Sequence, residues 1–140
     1  MKAMASIGRS IPVQSKDTVI HFDEGLIGFS DCKDFRVMED DSIAPFHLLQ
    51  SSQTKELGFL VLEPSVVMFD YYSRIPAREW ESIGLSPSDR RLAFVICVIG
   101  ASPNQSTGNF QAPLIVNYSK MNGRQLILTD AALSVRQPLM

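Results

Sequence analysis

The chain has 140 residues, of which 45% are hydrophobic and 20% charged, and a formal net charge of −2. That content supports one core and one domain over residues 1–140, with no composition shift to mark a second. The longest apolar run, residues 92–101, is too short to cross a bilayer, and the opening MKAMASIGRSIPVQS lacks the continuous apolar segment of a signal peptide. A soluble cytoplasmic protein without a membrane partner is therefore expected.

The charge is unevenly placed. Between Asp17 and Asp41 eight acids face only Lys33 and Arg36, a local charge of −6, while the remainder carries seven acids against eleven bases, or +4. Such an acidic lobe repels nucleic acid and suits a basic protein partner. Its candidate contacts are Asp23, Glu24, Glu39, Asp40 and Asp41.

Taken in order, residues 1–10 are small and polar around one Ile and are expected to be loose. Strand signals follow at 11–14 and 18–22, two runs that can pair as a hairpin. In HFDEGLIGFS, Gly25 and Gly28 bracket Leu26 and Ile27; no Lys-Ser/Thr pair follows, so a sharp turn anchored by Phe29 is predicted rather than a phosphate loop. Residues 35–38 and 46–50 read as short strands across an acidic turn at Glu39, Asp40 and Asp41. Residues 57–62 are apolar on both faces and read as a central strand that Pro64 ends, and residues 66–72 as a further aromatic and β-branched strand.

From Pro76 the pattern changes. PAREWESIG places proline at a first helical turn, Trp80 and Ile83 on one face, and Gly84 as a left-handed C-cap with Leu85 folding back. Ser86 to Asp89 resembles a capping box for one more helical turn. Residues 92–99 form the most hydrophobic strand, and a polar loop at 101–108 leads to FQAPLIVNYSKMNGRQLILTD. There the apolar runs 114–118 and 125–129 flank Asn122-Gly123, the dipeptide that suits a tight type I′ turn. With Asn122-Gly123 as the loop, Val116 faces Thr129 and Tyr118 faces Ile127, with Leu126 and Leu128 on the other face. Residues 135–140 are read as a tail.

The fold class that follows is mainly β, a small closed or pseudo-barrel of short, mostly antiparallel strands with one short helix. Phe29, Leu60, Ile96, Val116 and Leu128 are the expected core.

A catalytic set is hard to assemble from these residues. His21 and His47 lack the spacing of a zinc site, the cysteines Cys32 and Cys97 have no CxxC spacing and are expected as free thiols, and no GxSxG occurs. Asp23 and Glu24 are adjacent, so in extended backbone they point to opposite faces. No metal, cofactor or catalytic residue is expected. The basic residues form no stripe, and direct nucleic-acid binding is disfavoured. Tyr71, Tyr72 and Trp80, beside Arg74, Arg78, Arg90 and Arg91, read either as an exposed aromatic protein contact or as residues that pin the helix to the barrel.

Three segments together resemble the flagellar assembly factor FliW family: IHFDEGLIGFSDCKDF, FHLLQSSQTKELGFLVLEP with the Tyr-rich stretch and helix after it, and GNFQAPLIVNYSKMNGRQLILTD. A Leu-x-x-Arg-x-x-Leu tail at Leu133, Arg136 and Leu139 completes the match, which keeps order and spacing from Thr18 onward. The resemblance implies a non-enzymatic bacterial protein that binds flagellin, and that binds the RNA-binding translational repressor CsrA to relieve repression of flagellin synthesis. The reading kept beside it is a small β-barrel enzyme or ligand binder with a pocket under the Gly25 to Phe29 loop.

Overall fold

Strand β1 (Val19–Phe22) pairs antiparallel with β2 (Asp34–Met38), which pairs with β3 (Phe46–Ser51), which pairs with β4 (Gly58–Leu62). A long crossover carries helix α1 (Ala77–Glu81) before β5 (Arg91–Val98), which is followed by β6 (Thr107–Gly108), β7 (Leu114–Asn117), β8 (Asn122–Gln125) and β9 (Gln137–Pro138). These elements come from a computed structural model that describes residues 18–140. The expected strand at 11–14 and the loose segment at 1–10 lie outside the described residues.

Seven strands close on themselves in the order β4-β3-β2-β1-β8-β7-β5, with β5 returning to β4, so the mainly β barrel with one short helix holds. Every neighbouring pair in that ring is antiparallel except β1 and β8, which run parallel with His21 beside Asn122 and Phe22 beside Gly123. Closure removes the exposed edge that an open sheet of this pattern would present. Strand β4 is paired on both sides, as its two apolar faces require.

Alternation then sorts the core into two clusters. Ile20, Phe22, Phe35, Val37, Leu49, Val61, Phe94, Leu114 and Val116 come from six of the ring's strands and converge in one cluster, which is the barrel interior. Their sequence neighbours Leu62, Ala93, Val95 and Ile115 point the other way and join Tyr71, Trp80, Ile83, Phe110, Leu126, Leu128 and Leu133 in a second cluster. The crossover with α1 and the segment after β8 cover the outside of the barrel there.

Four expectations are corrected. The β7–β8 hairpin forms, but Asn122 and Gly123 are inside strand β8, with Val116 opposite Gly123 and Leu114 opposite Gln125. The turn is residues 118–121. The Asn117 side chain accepts hydrogen bonds from the Ser119 and Lys120 amides, and Met121 adopts the left-handed conformation at φ 59°. Asn117 thus supplies the turn chemistry, and Gly123 serves close approach instead: a Cβ there would sit 2.7 Å from the Ile115 oxygen and 2.8 Å from the Phe22 ring. The slip is an even number of residues, so face assignment survives, with Leu126 and Leu128 on the outer core and Val116 inside.

Residues 66–72 form no strand; Pro64–Val66 and Tyr71–Arg74 are 3-10 turns that wind across the barrel and bury Tyr71. Ser86 to Asp89 is a turn without a helix, in which the Asp89 carboxylate accepts from the Ser86 amide. The tail contributes β9, antiparallel to β6.

The core list is corrected too. Val116 and Leu128 are buried, Leu60 and Ile96 are only half-buried, and Phe29 is 41% exposed. The turn at Gly25 to Phe29 is present, closed by reciprocal Leu26 and Phe29 backbone bonds, but it is Leu26 that enters the barrel. Phe29 lies edge-on against Phe59 at the rim. Helix α1 follows expectation: Pro76 precedes it, Trp80 and Ile83 are buried, Gly84 is left-handed at φ 73°, and the Leu85 amide returns to the Trp80 carbonyl.

Candidate partner-binding surfaces

The five candidate acids do not form one lobe. Asp23 and Glu24 follow β1, whereas Glu39 and Asp41 follow β2, and the two strands are antiparallel. The two groups therefore stand at opposite ends of the ladder, on the order of 20 Å apart at a rise of about 3.3 Å per residue. At the first end Asp23 is 94% exposed on its side chain, and Glu24 is 3.8 Å from Arg124. The Lys33 ammonium donates to the Asp23 carbonyl, so positive charge is close by. At the second end Glu39 is 3.7 Å from His47 and Asp41 is exposed. Asp40 is a correction: it is buried, and its carboxylate caps the 3-10 turn Asp41–Ile43 by accepting from the Ser42 amide.

The aromatic candidates are corrected in the same way. Tyr71 and Trp80 are buried in the outer core, and the Tyr71 hydroxyl donates to the Phe110 carbonyl at 2.5 Å. Burial pushes its hydroxyl well above the ordinary tyrosine range. Tyr72 stacks on Trp80 at 6.0 Å, its hydroxyl accepts from the Ala93 amide, and the Arg91 guanidinium lies over both rings. These side chains pin the crossover to β5, which is the second of the two readings given them, and do not form the exposed contact of the first. Only the Tyr72 and Arg91 edge reaches the surface.

Two histidines take opposite environments. His21 is exposed, and a 2.7 Å hydrogen bond with Asp34 raises its pKa, with Asp23 adding to the effect. His47 is half-buried beside Phe94, and desolvation lowers its pKa against the pull of Glu39 and Glu63. A recess of about 470 Å³ gathers His21, Asp23, Glu24 and Arg124 beside Ser82 and Asn122. It is open to water, and the Asp34 carboxylate on Nδ1, with Asp23 beside the ring, favours the imidazolium form of His21. Among the described residues no three His, Cys, Asp or Glu side chains are placed to hold a metal ion. Cys97 is buried and its thiol is pushed up to about 12, which makes it inert as a nucleophile.

What the surface does present is apolar. One groove of about 630 Å³ is lined by Pro45, Phe46, Val66, Val67, Ile99 and Met140, and Phe69 stands almost fully exposed elsewhere on the same crossover. Another, of about 620 Å³, lies beside the Gly25 to Phe29 loop and is lined by Ile27, Ile96, Val98, Ala112, Val135 and Arg136. The loop is fixed there: the Gln125 side chain accepts from the Ile27 amide at 2.8 Å and donates to the Ala112 carbonyl at 3.1 Å. The second groove lies where the alternative reading placed a pocket, beside the Gly25 to Phe29 loop; the first was missed, because it joins residues from segments far apart in the chain. No helix among the described residues is long and apolar enough to cross a membrane.

The residues that carried the sequence resemblance have structural work. The Asn109 side chain turns the chain by accepting from the Gln111 and Ala112 amides; Asn117 turns the hairpin, and Gln125 clamps the loop.

Comparison with known proteins agrees with this fold. The family model described as FliW protein matches residues 8–139. The flagellar assembly factor FliW of Leptospira interrogans is 32% identical over 127 residues, covering 90% of this chain and 85% of that one. Its counterpart from Bdellovibrio bacteriovorus is 32% identical over 124 residues, covering 89% and 71%. A solved crystal structure of the flagellar assembly factor FliW superposes with a TM-score of 0.78 at 28% identity, covering 89% of this chain and 87% of that one. The fold is therefore that of a known architecture, and the chain belongs to the FliW family of flagellar assembly factors.

Proposed function

We propose that this protein is a non-catalytic, cytoplasmic regulator of flagellum assembly that binds flagellin and binds the translational repressor CsrA, relieving repression of flagellin synthesis. Family membership supports the flagellar role. The observation that carries the binding reading is the surface chemistry: exposed carboxylates at both ends of the β1–β2 ladder suit a basic RNA-binding protein, and rigid apolar grooves suit a polypeptide segment. A CsrA-type partner would be steered by the carboxylates, and a flagellin segment would bind through apolar anchors.

The test is calorimetric titration of the purified protein with flagellin monomer and with CsrA, followed by a gel-shift assay of CsrA on the flagellin messenger leader. Saturable binding to both, with release of the RNA when this protein is added, is the expected outcome. Failure to bind either partner overturns the reading. The enzyme or ligand-binder alternative, with its pocket under the Gly25 to Phe29 loop, would instead require a small molecule to occupy the groove beside that loop, read as chemical-shift change confined to Ile27, Ile96 and Val98.

A further inference from the structure

The Leu133-x-x-Arg136-x-x-Leu139 tail has a residue that the fold does not use. Leu133 is buried and Leu139 packs against the same outer core, and β9 between Arg136 and Leu139 is held to β6. These contacts account for the two leucines. Arg136 is exposed, and among the described residues its guanidinium has no hydrogen-bond or ion-pair partner; only its amide is engaged, by Ser134. It stands at the margin of the groove beside the Gly25 to Phe29 loop.

That groove continues the inner face of β5 beyond the closed ring. Ile96 faces Val61 inside the barrel, and Val98, two residues on, is 66% exposed opposite Thr107. Ile27 and Val135 approach from the loop and the tail, both exposed, so aliphatic side chains from three separate segments line one trough. Its walls are already rigid. Gln125 holds the loop through the Ile27 amide, and the β6–β9 ladder holds the tail, so an occupant would not need to order them.

The charge of this trough is the reverse of the chain's acidic ends: Arg136 is its one charged lining residue and no carboxylate lines it. A basic partner is disfavoured by Arg136, whereas a segment offering aliphatic side chains and one carboxylate is matched on both counts. We infer that the trough between the Gly25 to Phe29 loop and the tail is the docking site for the filament-subunit partner, taking an apolar segment whose Asp or Glu pairs with Arg136. This rests on the protein-binding function proposed above and assigns one partner to one face. An unassembled filament subunit has its assembly contacts uncovered, which makes it the partner with apolar surface to offer.

The test titrates flagellin monomer and CsrA in parallel into the parent protein and into Arg136→Glu, Arg136→Lys, Val98→Asp and Ile27→Asp variants, with thermal melts to confirm that each is folded. Arg136→Glu and Val98→Asp should weaken flagellin binding by about tenfold or more, while Arg136→Lys stays within about threefold of the parent and CsrA affinity is unchanged in all. Unchanged flagellin affinity in the folded Arg136→Glu and Val98→Asp variants overturns this inference and leaves the proposed function standing, as does a loss confined to CsrA. A parent protein that binds neither partner ends both.

Discussion

The Asn117 amide donates a 3.0 Å hydrogen bond to the Asp89 carboxylate, joining the end of β7 to the turn that precedes β5. The same carboxylate accepts from the Ser86 amide and is 3.3 Å from the Lys120 ammonium, and these bonds hold its pKa down at about 2. Asn117 also donates to the Ile83 carbonyl and accepts from two turn amides, so a single buried side chain ties the helix exit, the β5 approach and the hairpin turn together.

Replacing Asn117 with Ala should destabilise the fold by about 2–4 kcal/mol, read from urea unfolding, because the four hydrogen bonds by which it joins three segments are lost at once. For Asp89 the folded pKa lies below the unfolded value, so its contribution is complete above about pH 4 and disappears as pH falls towards 2. The parent protein should lose stability through that window, and Asp89→Asn should flatten the loss. An identical acid profile in the variant would show that other carboxylates govern it.

Gln125 should act on the loop rather than on the core. Its side chain bonds the Ile27 amide, and Gln125→Ala should speed exchange of that amide by about tenfold, as expected for a loss of about 1.4 kcal/mol of local closure, while core amides in β5 and β7 stay protected. Amide exchange followed by NMR distinguishes this from global destabilisation, which would accelerate all three together.

Burial makes unlike predictions for two residues of similar apparent hydrophobic weight. Leu128→Ala should cost about 2–5 kcal/mol, since it empties volume in the outer core. Phe29→Ala should cost about 1 kcal/mol or less, because the ring rests at the rim against Phe59. Equal losses in a denaturant series would contradict the placement of Leu26, rather than Phe29, inside the barrel.

The split acidic ends sharpen the expected electrostatics of CsrA binding. The two ends are farther apart than the screening length of about 8–10 Å, so they act as separate fields. Positive side chains at Lys33 and Arg124 compensate the Asp23 and Glu24 end. Reversing Glu39 and Asp41 to Lys should therefore slow CsrA association more than reversing Asp23 and Glu24, with both effects shrinking in a stopped-flow series at rising salt. Asp40→Lys should instead unfold the 3-10 turn it caps, visible as a lower melting temperature before any partner is added. Equal on-rates for all surface reversals would exclude steering by these ends.

Periodicity and turn chemistry were enough to read most strands, the helix with its left-handed Gly84, and the closed mainly β class, because each depends on residues a few positions apart. The family resemblance was legible for a related reason: Asn109, Asn117 and Gln125 make backbone bonds at set places in the chain. What the tertiary structure alone decided is pairing and exposure. Asn122-Gly123 has the chemistry of a turn, yet β1 runs parallel beside it and the Phe22 ring leaves room only for glycine, so the turn moved to the Asn117 side chain. Tyr71 and Trp80 carry the composition of an interface, yet the crossover folds them against β5. The acids from Asp23 to Asp41 are consecutive in the charge pattern, yet an antiparallel reversal sends them to opposite ends. The trough at Ile27, Val98 and Arg136 joins segments about a hundred residues apart, and no local pattern encodes contacts that exist only once the barrel has closed.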